Sequence, residues 1–173
     1  NKTQTPDTDL LIAPSWNSNF YKLNCHILLK KFLTKSKLSY RLKPHPMSIR
    51  KGEISMNDLK GQNIPTDNLD FPNLHKYRFL ITDWSGIFIE FAFLFKRKAF
   101  LINTTKKMRN KNYLNFENKP IEISLRNILG KTYEIQNIQN IVKEIEILKN
   151  EIKDINNISE DENIKKIINE NFY

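Results

Sequence analysis

Residues 79–95 constrain the chain more than any other stretch. Phe79-Leu80-Ile81-Thr82-Asp83 is an apolar run of strand length, stopped by Trp84-Ser85-Gly86 and followed by a run to Phe95 that is apolar almost throughout. A short apolar run ended by turn residues reads as a buried strand, and a helix hydrophobic nearly all round as one buried on most sides. A strand and a helix that both need cover belong inside a layered α/β domain.

The flanking segments continue the alternation. Residues 10–13 form an apolar run halted by Pro14, and residues 40–42 a second short strand leading into Lys43-Pro44-His45-Pro46. Between them, apolar residues at 20, 23, 27, 28, 32 and 33 predict an amphipathic helix over 20–33. A further strand is expected at 99–102 after a basic turn at 96–98. The spacing of Ile138, Ile141, Ile145, Leu148, Ile152 and Ile155 predicts a long helix over 135–155. Weaker patterns suggest a short helix within 47–59, a brief strand within 63–69 and a short helix at 71–77. Residues 104–119 read as an ordered loop, 120–129 as a crossing over the sheet, and 160–171 as a second tail helix. The fold class is therefore α/β, a Rossmann-like parallel sheet flanked by helices over 1–134, with a helical extension over 135–173.

Charge is uneven. The chain carries 28 Lys+Arg against 19 Asp+Glu, with a net +12 in residues 1–119 and −3 in residues 120–173. The first part is the one suited to anions, although an AT-rich genome would also raise Lys, Asn and Ile together. Four glycines leave no room for a Gly-rich dinucleotide loop or P-loop, and a single cysteine excludes a disulfide framework or zinc ribbon. Three dispersed histidines without paired ligands give no metal site. No apolar stretch reaches the roughly 18 residues of a membrane-spanning helix. Asn1 is not an initiator Met, so the sequence reads as a piece of a longer protein.

Three places can carry chemistry. The turn at 83–86 opens a helix after a strand; Asp83 or Ser85 is expected to cap that helix, with Gly86 letting a phosphate approach the backbone. In Lys43-Pro44-His45-Pro46, flanking prolines neither continue a central strand nor start a helix, so His45 is expected on a stiff loop, able to donate to a phosphate or act as acid or base. Arg109, after the strand at 99–102, can fork onto a phosphate. Glu90, an acid in an apolar helix, is expected to be buried and to meet ribose hydroxyls or a lysine. His26 and His75 read as packing or surface residues, Cys25 as a small core hydrophobe. All three places fall at carboxyl ends of predicted strands, where open parallel sheets bind ligands.

Leu11-Ile12-Ala13-Pro14-Ser15-Trp16, Arg41-Leu42-Lys43-Pro44-His45-Pro46 and Leu80-Ile81-Thr82-Asp83-Trp84-Ser85-Gly86, followed by Glu90, resemble in order and spacing the carboxyl-terminal domain of CDP-glycerol glycerophosphotransferases. This is the teichoic-acid polymerase family, of GT-B architecture, and the resemblance covers about residues 10–103. It implies that this domain binds a nucleotide-activated donor, CDP-glycerol or a relative, with His45 as catalytic residue near the donor phosphates. Lys43, Thr82, Asp83, Ser85, Gly86, Glu90 and Arg109 complete the implied donor site, and no cofactor or metal is implied. Ser15 and Asn17 stand where many members have Thr and Arg, and Trp84 and Gly86 where they carry Tyr and Ser, so a sugar-nucleotide donor stays open. The resemblance further implies an amino-terminal GT-B domain outside these residues, a lipid-linked or polymer acceptor, and a cytoplasmic protein in peripheral contact with the inner face of the membrane. The fragment alone is expected to be inactive.

Rival readings are a nucleotide-sugar-dependent GT-B glycosyltransferase or epimerase-like domain, a basic nucleic-acid-binding module, and an interaction domain using the acidic tail. A nucleic-acid module needs exposed aromatics on a basic face, whereas most aromatics here lie in apolar runs, so nucleic acid is not an expected partner.

Overall fold

The computed structural model describes residues 6–16, 19–67, 73–97, 99–105 and 121–151. Within them, β1 (Thr8–Ile12), β2 (Tyr40–Leu42), β3 (Tyr77–Thr82), β4 (Ala99–Asn103) and β5 (Gly130–Glu134) make one sheet in the order β2-β1-β3-β4-β5. Every adjacent pair is parallel, with Leu10 facing both Tyr40 and Phe79 across its two neighbours. This is the expected α/β Rossmann-like arrangement.

Successive side chains of a strand point to opposite faces, so a strand covered on both sides is apolar at every position. Leu10, Ile12, Phe79, Ile81, Phe100 and Ile102 enter one core with α1 (Cys25–Leu33) and α6 (Ile138–Glu151). Leu11, Leu80 and Leu101 enter the other with α4 (Ile87–Phe95) and α5 (Ile121–Leu129). Ile138, Ile141, Val142 and Ile145 of α6 are thus core residues of the sheet's first face. At the end of the sheet where β1 begins, Lys149 donates to Asp9 Oδ2 at 2.7 Å, and Ser39 adds its N–H and hydroxyl to the same oxygen. Among the described residues no helix is long and apolar enough to cross a membrane.

Several expectations are corrected. The first helix begins at Cys25 rather than at 20, because residues 19–24 close in tight turns and Asn24 takes a left-handed φ of 54°. Residues 47–59 hold two short helices, α2 (Pro46–Arg50) and α3 (Met56–Gly61). Where a strand at 63–69 is expected, the described residues 63–67 hold an isolated bridge from Leu42 to Thr66, and residues 68 and 69 lie outside the described residues. A single 3-10 turn, Leu74–Lys76, stands where a helix at 71–77 was expected, and residues 71 and 72 lie outside the described residues. The helix at 87–95 is buried on one side: Phe88, Phe91 and Ala92 are covered, while Leu94 is 68% exposed and Phe93 36%. The fifth strand has no counterpart in the sequence reading. It begins at Gly130 because the chain comes close to β4 there: a Cβ would meet Leu101 Cδ1 at 2.5 Å. Of the tail, Ile152, Ile155 and residues 160–171 lie outside the described residues.

Candidate functional site

β1 has β2 on one side and β3 on the other, so the chain's connections leave it in opposite directions. The carboxyl ends of β1 and β3 form the switch point of the sheet, the place where open α/β sheets hold ligands. Three loops meet there: 13–16 after β1, 43–46 after β2 and 83–86 after β3. The β2 and β3 loops are separated by two strand spacings, about 10 Å, with the β1 loop between them.

Asp83 is fully buried and is not a helix cap. Its Oδ1 accepts from the Ser15 N–H at 2.7 Å and its Oδ2 from the Thr104 hydroxyl at 3.1 Å, so one carboxylate ties together the loops after β1, β3 and β4. Thr82 is likewise turned inward; it is fully buried and its hydroxyl donates to the Ala13 carbonyl at 2.6 Å. Both residues build the floor of the switch point rather than its lining.

With Asp83 so engaged, α4 starts at Gly86 with no side-chain cap. The Ser85 hydroxyl is 3.5 Å from the Ile87 N–H, too long to be an effective cap. Gly86 is exposed, and nothing lies within 4 Å of where its Cβ would be. Glu90, expected as a buried acid, is exposed on the outward face of α4.

His45 corrects a second expectation. A helix does start there: His45 is the N-cap of α2, its Nδ1 accepting from the Met47 N–H at 3.1 Å, and Pro46 occupies the first helical position, where a fixed φ and a missing N–H cost nothing. An imidazole whose Nδ1 accepts carries its proton on Nε2 when neutral, so the outer nitrogen is a donor. The Trp16 ring lies 6.3 Å from the His45 ring, and Lys51 Nζ sits 4.7 Å over Trp16. Lys43 is buried, its N–H extending the ladder to Ile12 O. Arg109 lies outside the described residues.

The other flank is organised by Arg126 of α5, which is 4% exposed. Its guanidinium carbon stacks 3.9 Å over the Trp84 ring, Nη1 donates to the Asp83 carbonyl, and Nη2 donates to Asn103 Oδ1 at 3.0 Å. Trp84 Nε1 donates to the Thr104 carbonyl at 2.9 Å, and Asn103 Nδ2 to Glu134 Oε1 at 2.6 Å. Burial lowers the Arg126 pKa and the Asp83 charge opposes that shift. From the α1 side, the Tyr21 hydroxyl and the Cys25 thiol reach the same field: burial, reinforced by Asp83, pushes Tyr21 upward and Cys25 up to about 12. Cys25 is inert as a nucleophile in that state.

The structure thus brings His45, Ser85 and Gly86 to one edge, turns Thr82 and Asp83 into the floor, and leaves Glu90 outside. Sequence reasoning assigned no role to Trp16, Lys51, Asn103, Thr104 or Arg126. The one available signal was an arginine beside Leu125 on the buried stripe of α5. Among the described residues no group of three His, Cys, Asp or Glu could hold a metal ion. No family model, curated protein or solved structure matches the chain.

Proposed function

We propose that the chain is the donor-binding half of a GT-B transferase of the CDP-glycerol glycerophosphotransferase kind, holding a nucleotide-activated glycerol phosphate at the carboxyl edge of the sheet. One observation carries the reading: α4 opens at the β1/β3 switch point without a side-chain cap, because the nearby carboxylate of Asp83 is spent on Ser15 and Thr104. Unoccupied N–H groups and the positive end of a helix favour an anion there, and Gly86 leaves the backbone open to a diphosphate.

In this reading a second domain presents an acceptor hydroxyl from a lipid-linked or polymer substrate at the cytoplasmic face of the membrane. Its oxygen bonds to the β-phosphorus, the bond from that phosphorus to the bridging oxygen breaks, and cytidine monophosphate leaves. The hydroxyl proton passes to a base outside these residues. His45 donates from Nε2–H to the phosphates; with Nδ1 held by Met47 it is a charge stabiliser rather than the base. Preorganised donors of this type supply the larger part of such catalysis.

Calorimetry with CDP-glycerol, CDP and UDP-glucose tests the reading. CDP and CDP-glycerol are expected to bind, UDP-glucose more weakly, and the chain alone to turn over nothing. Stronger binding of UDP-glucose would move the protein to the sugar-nucleotide enzymes. Absence of nucleotide binding, together with tight, salt-dependent retention of single-stranded RNA on filters, would replace the transferase reading by a nucleic-acid module.

A further inference from the structure

The turn at 83–86 has to hold its N–H groups still to serve an anion, yet α4 has no side-chain cap to do so. The restraint comes from another element. Arg126 reaches from α5 across the carboxyl ends of β3 and β4, its Nη1 on the Asp83 carbonyl, its Nη2 on Asn103 and its plane against the Trp84 indole. The Asp83 carbonyl and the Trp84 N–H belong to one peptide unit, so holding the oxygen fixes the plane from which the next three N–H groups follow. The indole cannot swing away, because Trp84 Nε1 is also bonded to Thr104. A guanidinium is planar with donors in a fixed fork; an ammonium can reproduce one bond but neither the fork nor the flat stack.

We infer that Arg126 is a positioning residue for the anion-binding turn, bracing Trp84 and the Asp83 carbonyl so that the backbone donors of Ser85, Gly86 and Ile87 stand ready before ligand arrives. The inference rests on the donor-binding reading above, and extends it to a residue behind the site that touches no ligand.

The test is backbone 15N relaxation resolved by residue, combined with calorimetric titration of CDP, on the 173-residue chain and its Arg126→Lys variant. The expected result is lowered order parameters at residues 84–87, with a loss of about tenfold in CDP affinity, which is the effect of one charge-assisted hydrogen bond. The amides of β3 and β4 should keep their wild-type order. Asn103→Ala, which releases one arm of the fork and leaves the charge, should give a smaller effect confined to the same amides. This second variant decides the matter if Arg126→Lys does not fold. Wild-type order at 84–87 with undiminished CDP binding overturns the inference, and so does a loss of order spread evenly over the sheet, which would make Arg126 a general brace. If the wild-type chain binds no nucleotide, the donor reading falls by itself. Lowered order confined to 84–87 would then still establish the brace.

Discussion

At the scale of single residues, the site depends on which polar atoms are already committed. His45 uses Nδ1 for the Met47 N–H, a role that asparagine fills as well as any residue. His45→Asn should therefore keep the wild-type thermal midpoint while losing CDP affinity. His45→Ala should lose affinity and also about 1 kcal/mol of stability; melting curves and calorimetry on the same samples separate the two effects. Residue identities at the three loops were legible in the sequence, and their assignments were not. Asp83 has the composition and position of a cap, yet whether a carboxylate caps its own helix or bonds two other loops is decided by tertiary contacts from Ser15 and Thr104, 68 and 21 residues away. The His45 expectation fails on a local rule: Pro46 is no barrier to a helix, because the first turn is where proline is best tolerated.

At the scale of elements, strands and helices with continuous apolar runs were readable, and those with half-covered patterns were not. Strand β5 buries Gly130 and Tyr133 and exposes Lys131 and Glu134, as suits a strand with a neighbour on one side, and so offers no apolar run. Helix α4 showed the converse: its composition overstated its burial, since Phe93 and Leu94 look outward. Leu94→Gln should thus change stability by less than about 0.5 kcal/mol, whereas Phe91→Ala should cost about 3–5 kcal/mol in denaturant titrations. Helix α6 is fastened by Lys149. Burial pushes the Asp9 carboxyl upward, but the bonds from Lys149 and Ser39, with the lysine's charge, outweigh it and hold the pKa below the ordinary value. That contribution is complete above the unfolded-state value of about 3.9 and disappears as pH falls through the lowered folded value. Lys149→Met should cost about 1 kcal/mol near neutral pH, and urea denaturation should show the difference from wild type narrowing below about pH 4.

At the scale of the whole molecule, the parallel sheet is predictable because the alternation of short apolar strands with helices leaves few other layer architectures, and the carboxyl edge follows from the sheet. What brings the three loops together is the strand order, which no local pattern encodes. The same order sets a schedule for synthesis. Of the five strands β1 is the first to leave the ribosome; it lies inside the sheet with a neighbour on each side, and the second of these, Tyr77–Thr82, is translated some seventy residues later. Until then the nascent chain carries an apolar ribbon, Leu10-Leu11-Ile12, with one hydrogen-bonding edge open, the kind of surface that chaperones recognise and that aggregation exploits.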